Sequence, residues 1–395
     1  MLSATAVRTP LHDALGASDA ALLPPEDRAR ALDAFLTTPS GRQKPSRFWR
    51  IDLDTIAPDA RAIAPNAVAV DIQNASPRIV ACDLITAARE HAPLLRRAFG
   101  TSGAGTTKFG ALARAFAGTG AFVYVPHDAD AAEPIVITYT IAENSAAFPY
   151  TVVLAERGAR ATVLERFAGG RDAFVCAAVE AVTEEGSDLH CAAHQSLDAG
   201  ARWFSTRTAR PGRNARFAWT SAEAGAGLAV LDLTVAIAQP GIDAGITSLF
   251  FPTGNQHVDV VSTVDHAVGD STSHTHVKSA ATGAGQARYL GTIRIAPHAQ
   301  GSDASLRDDA LLLSKRAHID SVPALEIGAN DVKAYHGATV GALDEEQIFY
   351  LESRGIERAA AERTIALGFF EPAIDRFPTE ALREELRAAL ASKLA

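Results

Sequence analysis

The 395-residue sequence contains few cysteines, namely Cys82, Cys176 and Cys191. Three cysteines are far too few for a disulfide scaffold, and an odd number of them is typical of a reducing compartment. The chain also lacks any uncharged apolar run of about 18 residues, and no basic segment precedes an apolar stretch near Met1. These absences predict that the chain has no transmembrane helix, no signal peptide and a cytoplasmic location.

Basic residues are outnumbered by acidic ones. The chain has 37 Lys and Arg against 46 Asp and Glu, a formal net charge of −9. This balance argues against non-specific binding to nucleic acid or to an anionic membrane, because both need a basic surface. The hydrophobic fraction of 47% is enough to bury a sizeable core, so a mainly disordered chain is excluded.

Several catalytic motifs are missing. No H-E-x-x-H, G-x-S-x-G or C-x-x-C sequence occurs. The glycine-rich segment 100–105 is similar to a phosphate-binding loop, but Thr106 and Thr107 separate it from Lys108. A phosphate-binding loop needs Lys and Ser or Thr directly after its second glycine. We therefore expect a turn before a helix here, and no ATP hydrolysis by the chain itself.

Three segments follow one another along the chain. Residues 1–120 have helical and irregular character, and residues 121–342 contain many short β-rich runs separated by Gly and Pro turn signals. Periodicity alone leaves a β-sandwich and a solenoid of stacked strands both open. Residues 343–395 are helical again. The helices predicted from apolar spacing are Glu26–Leu36, Leu84–Phe99, Lys108–Ala117, one starting at Asp344 and ending near Gly355, Ala359–Leu367 ending at Gly368, and one capped by Thr379.

Two histidine groups fall in the β-rich segment. His274 and His276 would share one face of a strand and lie near His266 and Asp270 in the sequence, so a metal site is one alternative. Solvent-exposed histidines on a strand face are the other. The second group, His190, Cys191 and His194, is better explained as partly buried strand residues.

The segment 310–370 resembles the C-terminal half of the SufB/SufD family of iron–sulfur cluster assembly proteins. The resemblance is carried by the run Ala310–Ile327, by Asp331–Gly341 with its Tyr-His-Gly-Ala sequence, and by the pattern from Gln347 to Phe369. The block from His257 to Arg294 is similar more loosely. A faint match also occurs at residues 48–50, Phe-Trp-Arg.

The resemblance implies a fold and partners. The central segment would be a right-handed parallel β-helix flanked by helical segments, which agrees with the long helix-free β region. The family pairs SufB with SufD through the ends of the β-helices and docks the ATPase SufC on its C-terminal helices. That docking surface maps to about residues 343–370, with Asp344, Gln347, Phe349, Tyr350, Arg354, Gly355 and Phe369 as contact candidates.

The resemblance also indicates the branch. SufB-type chains carry a cysteine where this chain has Ala317 and a glutamate where it has Gly337. SufD-type chains carry a functional histidine at the position of His336, which is kept, and many have a cysteine at the position of Ala334. The chain is thus SufD-like, a scaffold subunit rather than an enzyme, and His336 is the candidate ligand for iron or a nascent cluster.

The residue chemistry is consistent with a shared site. Nascent clusters need thiolate ligands, and imidazole also suits iron. No cysteine follows Cys191, so the C-terminal half can offer an imidazole but no thiolate, and a partner would have to bring the sulfur ligand. We expect no tightly bound metal in the isolated chain, and a homodimer of the chain alone is left open as an alternative to the heterocomplex. The rival hypotheses are a metal-binding β protein using His274 and His276, and a β-helix enzyme acting on polysaccharides.

Overall fold

The computed structural model describes residues 4–16, 22–39, 51–64 and 66–394. The weak resemblance at residues 48–50 lies outside them. The helices are α1 (Ala4–Gly16), α2 (Pro25–Thr37), α3 (Leu84–Glu90), α4 (Ala92–Ala98), α5 (Lys108–Ala115), α6 (Glu345–Ser353), α7 (Arg358–Ile374) and α8 (Glu380–Lys393). No helix among these is both long enough and apolar enough to cross a membrane.

Nineteen strands are described, most of them between residues 119 and 342. They are β1 (Val68–Gln73), β2 (Val80–Asp83), β3 (Thr119–Val125), β4 (Ile135–Ile141), β5 (Ala146–Ala147), β6 (Pro149–Ala155), β7 (Arg160–Gly169), β8 (Phe174–Thr183), β9 (Asp188–Leu197), β10 (Arg202–Arg210), β11 (Arg216–Glu223), β12 (Leu228–Ile237), β13 (Asp243–Phe250), β14 (His257–His266), β15 (Thr272–Ala281), β16 (Gln286–Ile295), β17 (Ser302–Leu312), β18 (His318–Ile327) and β19 (Val332–Ala342). Two of them, β1 and β2, fall within the segment expected to be helical and irregular.

The strands form a parallel β-solenoid. The first sheet runs β2-β3-β6-β8-β10-β12-β14-β16-β18, and the second sheet runs β1-β4-β7-β9-β11-β13-β15-β17-β19. All neighbours are parallel except β1 on β4 and β2 on β3, so the solenoid has about eight coils. Hydrogen-bonded partners are one coil apart: Arg202 pairs with Leu228, and Gln286 with His318. The solenoid alternative is therefore confirmed, and the sandwich is not.

The core lies between the two sheets, where alternate side chains of every coil meet. Trp203 and Trp219 are among its largest buried side chains. It also contains a buried ion pair, in which the Arg207 guanidinium donates to the Glu165 carboxylate at 2.6 Å. Thr151 donates its hydroxyl to the other Glu165 oxygen at 2.6 Å. The interior is thus apolar with an internally paired charge, as a buried charge requires.

Helices cover the outer face of each sheet. Phe109 of α5 stacks on Phe204 of the first sheet with ring centroids 4.0 Å apart. On the second sheet, Phe370 of α7 lies 5.9 Å from the ring of Phe251. The apolar stripe of α8 is buried there as expected, and Thr379 caps that helix by accepting the Leu382 N–H. Both faces of much of each sheet are therefore buried.

Two predicted helix boundaries are wrong. The stretch Leu84–Phe99 is two helices, because Pro93 falls in the first turn of α4 and the chain breaks at His91. The helix expected to stop at Gly368 continues as α7 to Ile374. Gly368 has no positive φ and an unobstructed Cβ position, so it imposes no stop. The burial of apolar residues beyond it against the second sheet keeps the helix going.

Candidate functional site

The solenoid ends in an open terminal coil formed by β18 and β19. Within the described residues, β18 pairs with β16 alone and β19 with β17 alone. Each strand thus presents a row of backbone N–H and C=O groups that can pair with another chain. Three apolar side chains of this coil are also exposed, Ile327 by 41%, Tyr335 by 61% and Val340 by 45%. An open strand edge with exposed apolar side chains is typical of a protein interface.

His336 lies in the middle of β19 and pairs in register with Leu306 of β17. Leu306 is buried in the solenoid core. Because side chains in register on neighbouring strands share a face, His336 belongs to the row that faces the core. It is nevertheless exposed, since no described coil follows β19. Its imidazole makes no hydrogen bond with a described residue, so both ring nitrogens can meet an incoming group.

The positions that distinguish SufB-type from SufD-type chains also belong to the terminal coil. Ala317 directly precedes β18, while Ala334 and Gly337 flank His336 on β19. Ala334 faces the core in register with Ala304 and is partly buried. A Cβ atom at Gly337 would collide with the hydroxyl end of Tyr335, which covers that position. No thiol or carboxylate stands on β19, so His336 is the one metal-binding side chain that this strand provides.

A carboxyl group that sequence reasoning missed lies one coil deeper. Asp308 on β17 is fully buried and pairs in register with Ala338. Ser321 of β18 donates its hydroxyl to Oδ2, while Oδ1 has no partner among the described residues. Burial raises the pKa of Asp308 to about 7. The available signal was the Asp308–Asp309 pair directly before the apolar end of the strand, but the pattern does not tell which of the two faces the core.

Replacing Asp308 by asparagine should make the free energy of unfolding less sensitive to rising pH. The folded-state pKa near 7 exceeds the ordinary value of about 4, so between these values the folded chain keeps a proton that the unfolded chain loses. Stability contributed by this group therefore falls as pH rises through that window. We expect Asp308→Asn to gain about 2 to 4 kcal/mol over wild type between pH 4 and pH 8. Parallel stability curves from urea unfolding at several pH values would contradict this assignment.

Helix α6 carries two exposed aromatic side chains, which we call the aromatic pair: Phe349, exposed by 71%, and Tyr350, exposed by 62%. The neighbouring Ile348 is buried and holds the helix against the rest of the chain. The helix starts at Asp344, whose carboxylate accepts the Glu346 N–H at 2.9 Å. Adjacent exposed aromatic residues on an anchored helix are typical of protein interfaces.

The remaining candidate contacts lie near the aromatic pair in the sequence. Gln347 is exposed, and the Asp344 carboxylate accepts the N–H of Glu346 rather than that of Gln347. Arg354 is exposed and ends α6, and Gly355 follows it with a φ of +86°, which a glycine adopts without strain. Phe369 of α7 is half-buried, with its ring 4.3 Å from the Lys278 ammonium.

The glycine-rich segment 100–105 is occupied by the chain's own carboxylate. The backbone N–H groups of Gly100 and Ser102 donate to Glu180 at 2.7 and 3.1 Å. The Ser102 hydroxyl donates to the same carboxylate at 2.7 Å, and so does Tyr150, which lies under the loop. Two of the loop's N–H groups and the Ser102 hydroxyl are therefore already used by Glu180, and the segment leads into α5 at Lys108, as predicted for a turn before a helix.

The histidines considered for a metal are not gathered into a site. His274 bonds to the Ser305 hydroxyl through Nδ1 at 2.7 Å, whereas Asp270 lies in a turn with a φ of +54°. His276 shares the outer face of β15 with His274. Across the described residues, no group of three or more His, Cys, Asp or Glu side chains is arranged to hold a metal ion. The metal-binding alternative thus has no geometry to support it.

The second histidine group and the cysteines lie in surroundings that favour a structural role over metal binding. His194 is buried and its Nδ1 lies 2.9 Å from the Glu385 carboxylate of α8, which ties that helix to the solenoid. Cys191 is buried in the core and Cys176 is buried between the first sheet and α5, and burial raises the pKa of both thiols. Burial also raises the pKa of Cys82, to about 11. These thiols stay protonated at neutral pH and none belongs to the terminal coil.

These features define a parallel β-solenoid with helices on both sheets and an exposed histidine on its open terminal coil. The family model described as the SufBD core domain of SUF system FeS cluster assembly matches residues 138–369, more than half of the chain. The chain therefore belongs to the SufB/SufD family of iron–sulfur cluster assembly proteins and is SufD-like. The expectation drawn from residues 310–370 is confirmed, and the match extends over nearly the whole solenoid.

Curated relatives agree with this placement. The chain is 27% identical to the iron–sulfur cluster assembly protein SufD of Bacillus subtilis over 80% of this chain and 74% of that protein. It is 37% identical to SufD of Escherichia coli over a shorter segment, 38% of this chain and 35% of that protein. A SufBD family protein of Mycobacterium tuberculosis is 30% identical over 75% of this chain and 76% of its own length.

Proposed function

We propose that this chain is the SufD-type subunit of an iron–sulfur cluster assembly complex. It pairs through its terminal coil with a SufB-type subunit and docks a SufC-type ATPase on its C-terminal helices. The nascent cluster, or the iron that enters it, is the cargo of the shared site. The chain itself performs no ATP hydrolysis and serves as a scaffold.

One observation carries this proposal, namely the exposure of His336 on the core-facing row of an unpaired terminal coil. An imidazole is a suitable iron ligand, but one ligand holds iron weakly. The absence of a thiol beside His336 on β19 means that further ligands must come from the surface that covers this coil. The unpaired edges of β18 and β19 and the exposed Tyr335 and Val340 provide the contact area for such a partner.

The three segments of the chain have different roles in this proposal. The described part of residues 1–120 begins and supports the first coils, residues 121–342 form most of the scaffold, and residues 343–395 carry the ATPase contact. The terminal coil leads directly into α6, so a partner on the aromatic pair is adjacent in sequence to the cluster site. Movement of α6 driven by an ATPase would therefore act on β19.

Changing the aromatic pair should disrupt ATPase docking. We expect the double variant Phe349→Ser, Tyr350→Ser to bind a SufC-type ATPase at least about thirtyfold more weakly, because exposed aromatic anchors carry much of the energy of such interfaces. Isothermal titration of the purified chain with the ATPase measures the change. The fold should persist, since Ile348 is the buried anchor of α6 and is untouched.

A matched control is Ile85→Ser, which removes another exposed apolar side chain, on α3. This variant should bind the ATPase as wild type does. If the double variant also bound with wild-type affinity, the ATPase contact would have to lie elsewhere on the chain.

Co-purification tests the proposal as a whole. The tagged full-length chain is co-expressed with SufB-type and SufC-type partners, and recovery of all three proteins in one complex is the expected result. Isolation of the chain alone, or as a stable homodimer that excludes both partners, would refute the proposed pairing.

A further inference from the structure

A basic cleft of about 260 Å³ lies between the outer face of the second sheet and the end of α7. His276 and Lys278 of β15 and Arg307 of β17 line its sheet side, and Arg376, just after α7, lines its helix side. We call this the basic cleft. It lies on the opposite face of the second sheet from the core-facing row of His336, because these side chains belong to the outward rows, although Arg307 pairs in register with Gly337 of β19. Its small volume suits an ion rather than a drug-sized molecule.

The charges in the basic cleft do not balance. Asp309 is the carboxylate in the lining, and it accepts hydrogen bonds from Lys278 at 2.8 Å and from Arg307 at 3.0 Å. Thr339 donates to its other oxygen at 2.8 Å. Three cationic groups thus face one carboxylate, a surplus of positive charge in a chain whose net charge is −9. The surplus makes this cleft a favourable place for an anion.

Arg376 has the fewest bonding partners of these three cations. Its guanidinium forms no ion pair or hydrogen bond within the part of the chain that the structure describes. Asp309, in contrast, already orients Lys278 and Arg307 toward the cleft. A bound oxyanion would give Arg376 a partner and could use its planar fork of N–H donors.

The pKa of His276 reflects the burial and the positive charge of the basic cleft. Burial, with smaller contributions from Arg376, His274 and Arg307, lowers the pKa of His276 to about 4, while Asp309 opposes them. The imidazole is therefore neutral at physiological pH and can donate a hydrogen bond. Because its neighbours are cations, the site repels a metal ion, which was the alternative considered for His274 and His276.

We propose that the basic cleft binds a small phosphoryl oxyanion, held by Arg376, Arg307 and Lys278 with His276 as a further hydrogen-bond donor. Free inorganic phosphate and the terminal phosphate of a nucleotide share this chemistry. The inference is independent of the role of His336, because it involves neither the terminal coil's core-facing row nor an iron ligand.

Isothermal titration of the full-length chain with inorganic phosphate at low ionic strength tests the proposal. We expect saturable binding in the millimolar range or tighter that equimolar chloride does not reproduce. Arg376→Ala and Arg307→Ala should each weaken binding by about tenfold, since each removes charge-assisted hydrogen bonds. Arg363→Ala, an exposed change on α7 away from the cleft, should leave the affinity unchanged.

A second readout follows the His276 imidazole by NMR. Phosphate should raise the pKa of His276 in the wild type, and the same rise in Arg376→Ala should need about tenfold more phosphate. Titration with ATP and with adenosine separates the two sources: ATP binding that competes with phosphate supports a nucleotide, and no gain with ATP supports the free ion. Absence of saturable phosphate binding, or equal binding by wild type and both arginine variants, would overturn the proposal.

Discussion

Replacing His336 by alanine is expected to lower the yield of iron–sulfur cluster by about tenfold or more in a reconstituted complex, because loss of a metal-binding side chain at a shared site commonly has effects of this size. The complex itself should still assemble, since His336 is exposed and makes no side-chain hydrogen bond to a described residue. Absorbance of the bound cluster and acid-labile sulfide measure the yield. Size-exclusion chromatography measures assembly.

Two further substitutions separate a ligand from a mere contact residue. His336→Cys should retain a substantial part of the yield, because a thiolate also binds iron. His336→Asn keeps hydrogen-bonding capacity but is a poor ligand, so it should behave like the alanine variant. The matched control is His298→Ala, which removes another exposed histidine in a turn of the preceding coil.

The outcome that would contradict the ligand assignment is equally definite. A wild-type cluster yield in His336→Ala, with an intact complex, would show that His336 has no direct part in the chemistry. Loss of assembly together with loss of cluster would instead place His336 in the protein interface. Failure of all three partners to associate would reject the proposed function before the residue is tested.

Breaking the buried ion pair should cost about 3 to 5 kcal/mol of unfolding free energy, because removing one partner leaves the other charge buried and unpaired. In Arg207→Leu the Glu165 carboxylate loses its cationic partner in the solenoid core. Glu223 also loses the positive charge that lowers its pKa, whereas burial still raises it. Urea unfolding followed by circular dichroism measures the loss.

Removing both charges should be milder. The double variant Arg207→Met, Glu165→Gln leaves no buried charge in the pair and should recover much of the lost stability. The surface control Arg210→Leu, at the exposed end of the same strand, should stay within about 0.5 kcal/mol of wild type. A loss below about 1 kcal/mol in the single Arg207 variant would mean that water or rearrangement solvates Glu165.

Strand content and the order of segments could be read from the sequence, because short β-rich runs between Gly and Pro turns have a local signature. The arrangement of the strands could not. A sandwich and a solenoid use the same alternating runs, and what separates them is the pairing of residues one coil apart, such as Arg202 with Leu228. The resemblance to a family, not the periodicity, selected the solenoid.

Helix ends were predicted correctly where a capping side chain or a glycine with a positive φ acts locally. Thr379 caps α8 through its own hydroxyl, and Gly355 follows α6 with a positive φ. Gly368 misled the prediction because it has no local reason to end α7, whereas the burial of Phe370 and Ile374 against the second sheet favours continuation. Tertiary packing thus outweighed local propensity there.

The residues of the candidate site were likewise predicted only in part from the sequence. His336 was identified from its motif, but its exposure follows from the end of the solenoid at β19. Asp308 was missed because strand alternation assigns Asp308 and Asp309 to opposite faces without saying which is the core, and helices bury part of the outer face too. The basic cleft escaped notice because its cations come from three elements far apart in the sequence.

The sequence by itself determined that this protein is β-rich, has helical segments at both ends and contains few cysteines. It also determined the resemblance to the SufB/SufD family, including the histidine of the Tyr-His-Gly-Ala sequence, His336. These properties depend on residue types and local spacing. Only the tertiary structure decided which side chains meet. Coil stacking brings together residues far apart in the chain, leaves the last coil unpaired around His336 and collects Lys278, Arg307 and Arg376 around one cleft.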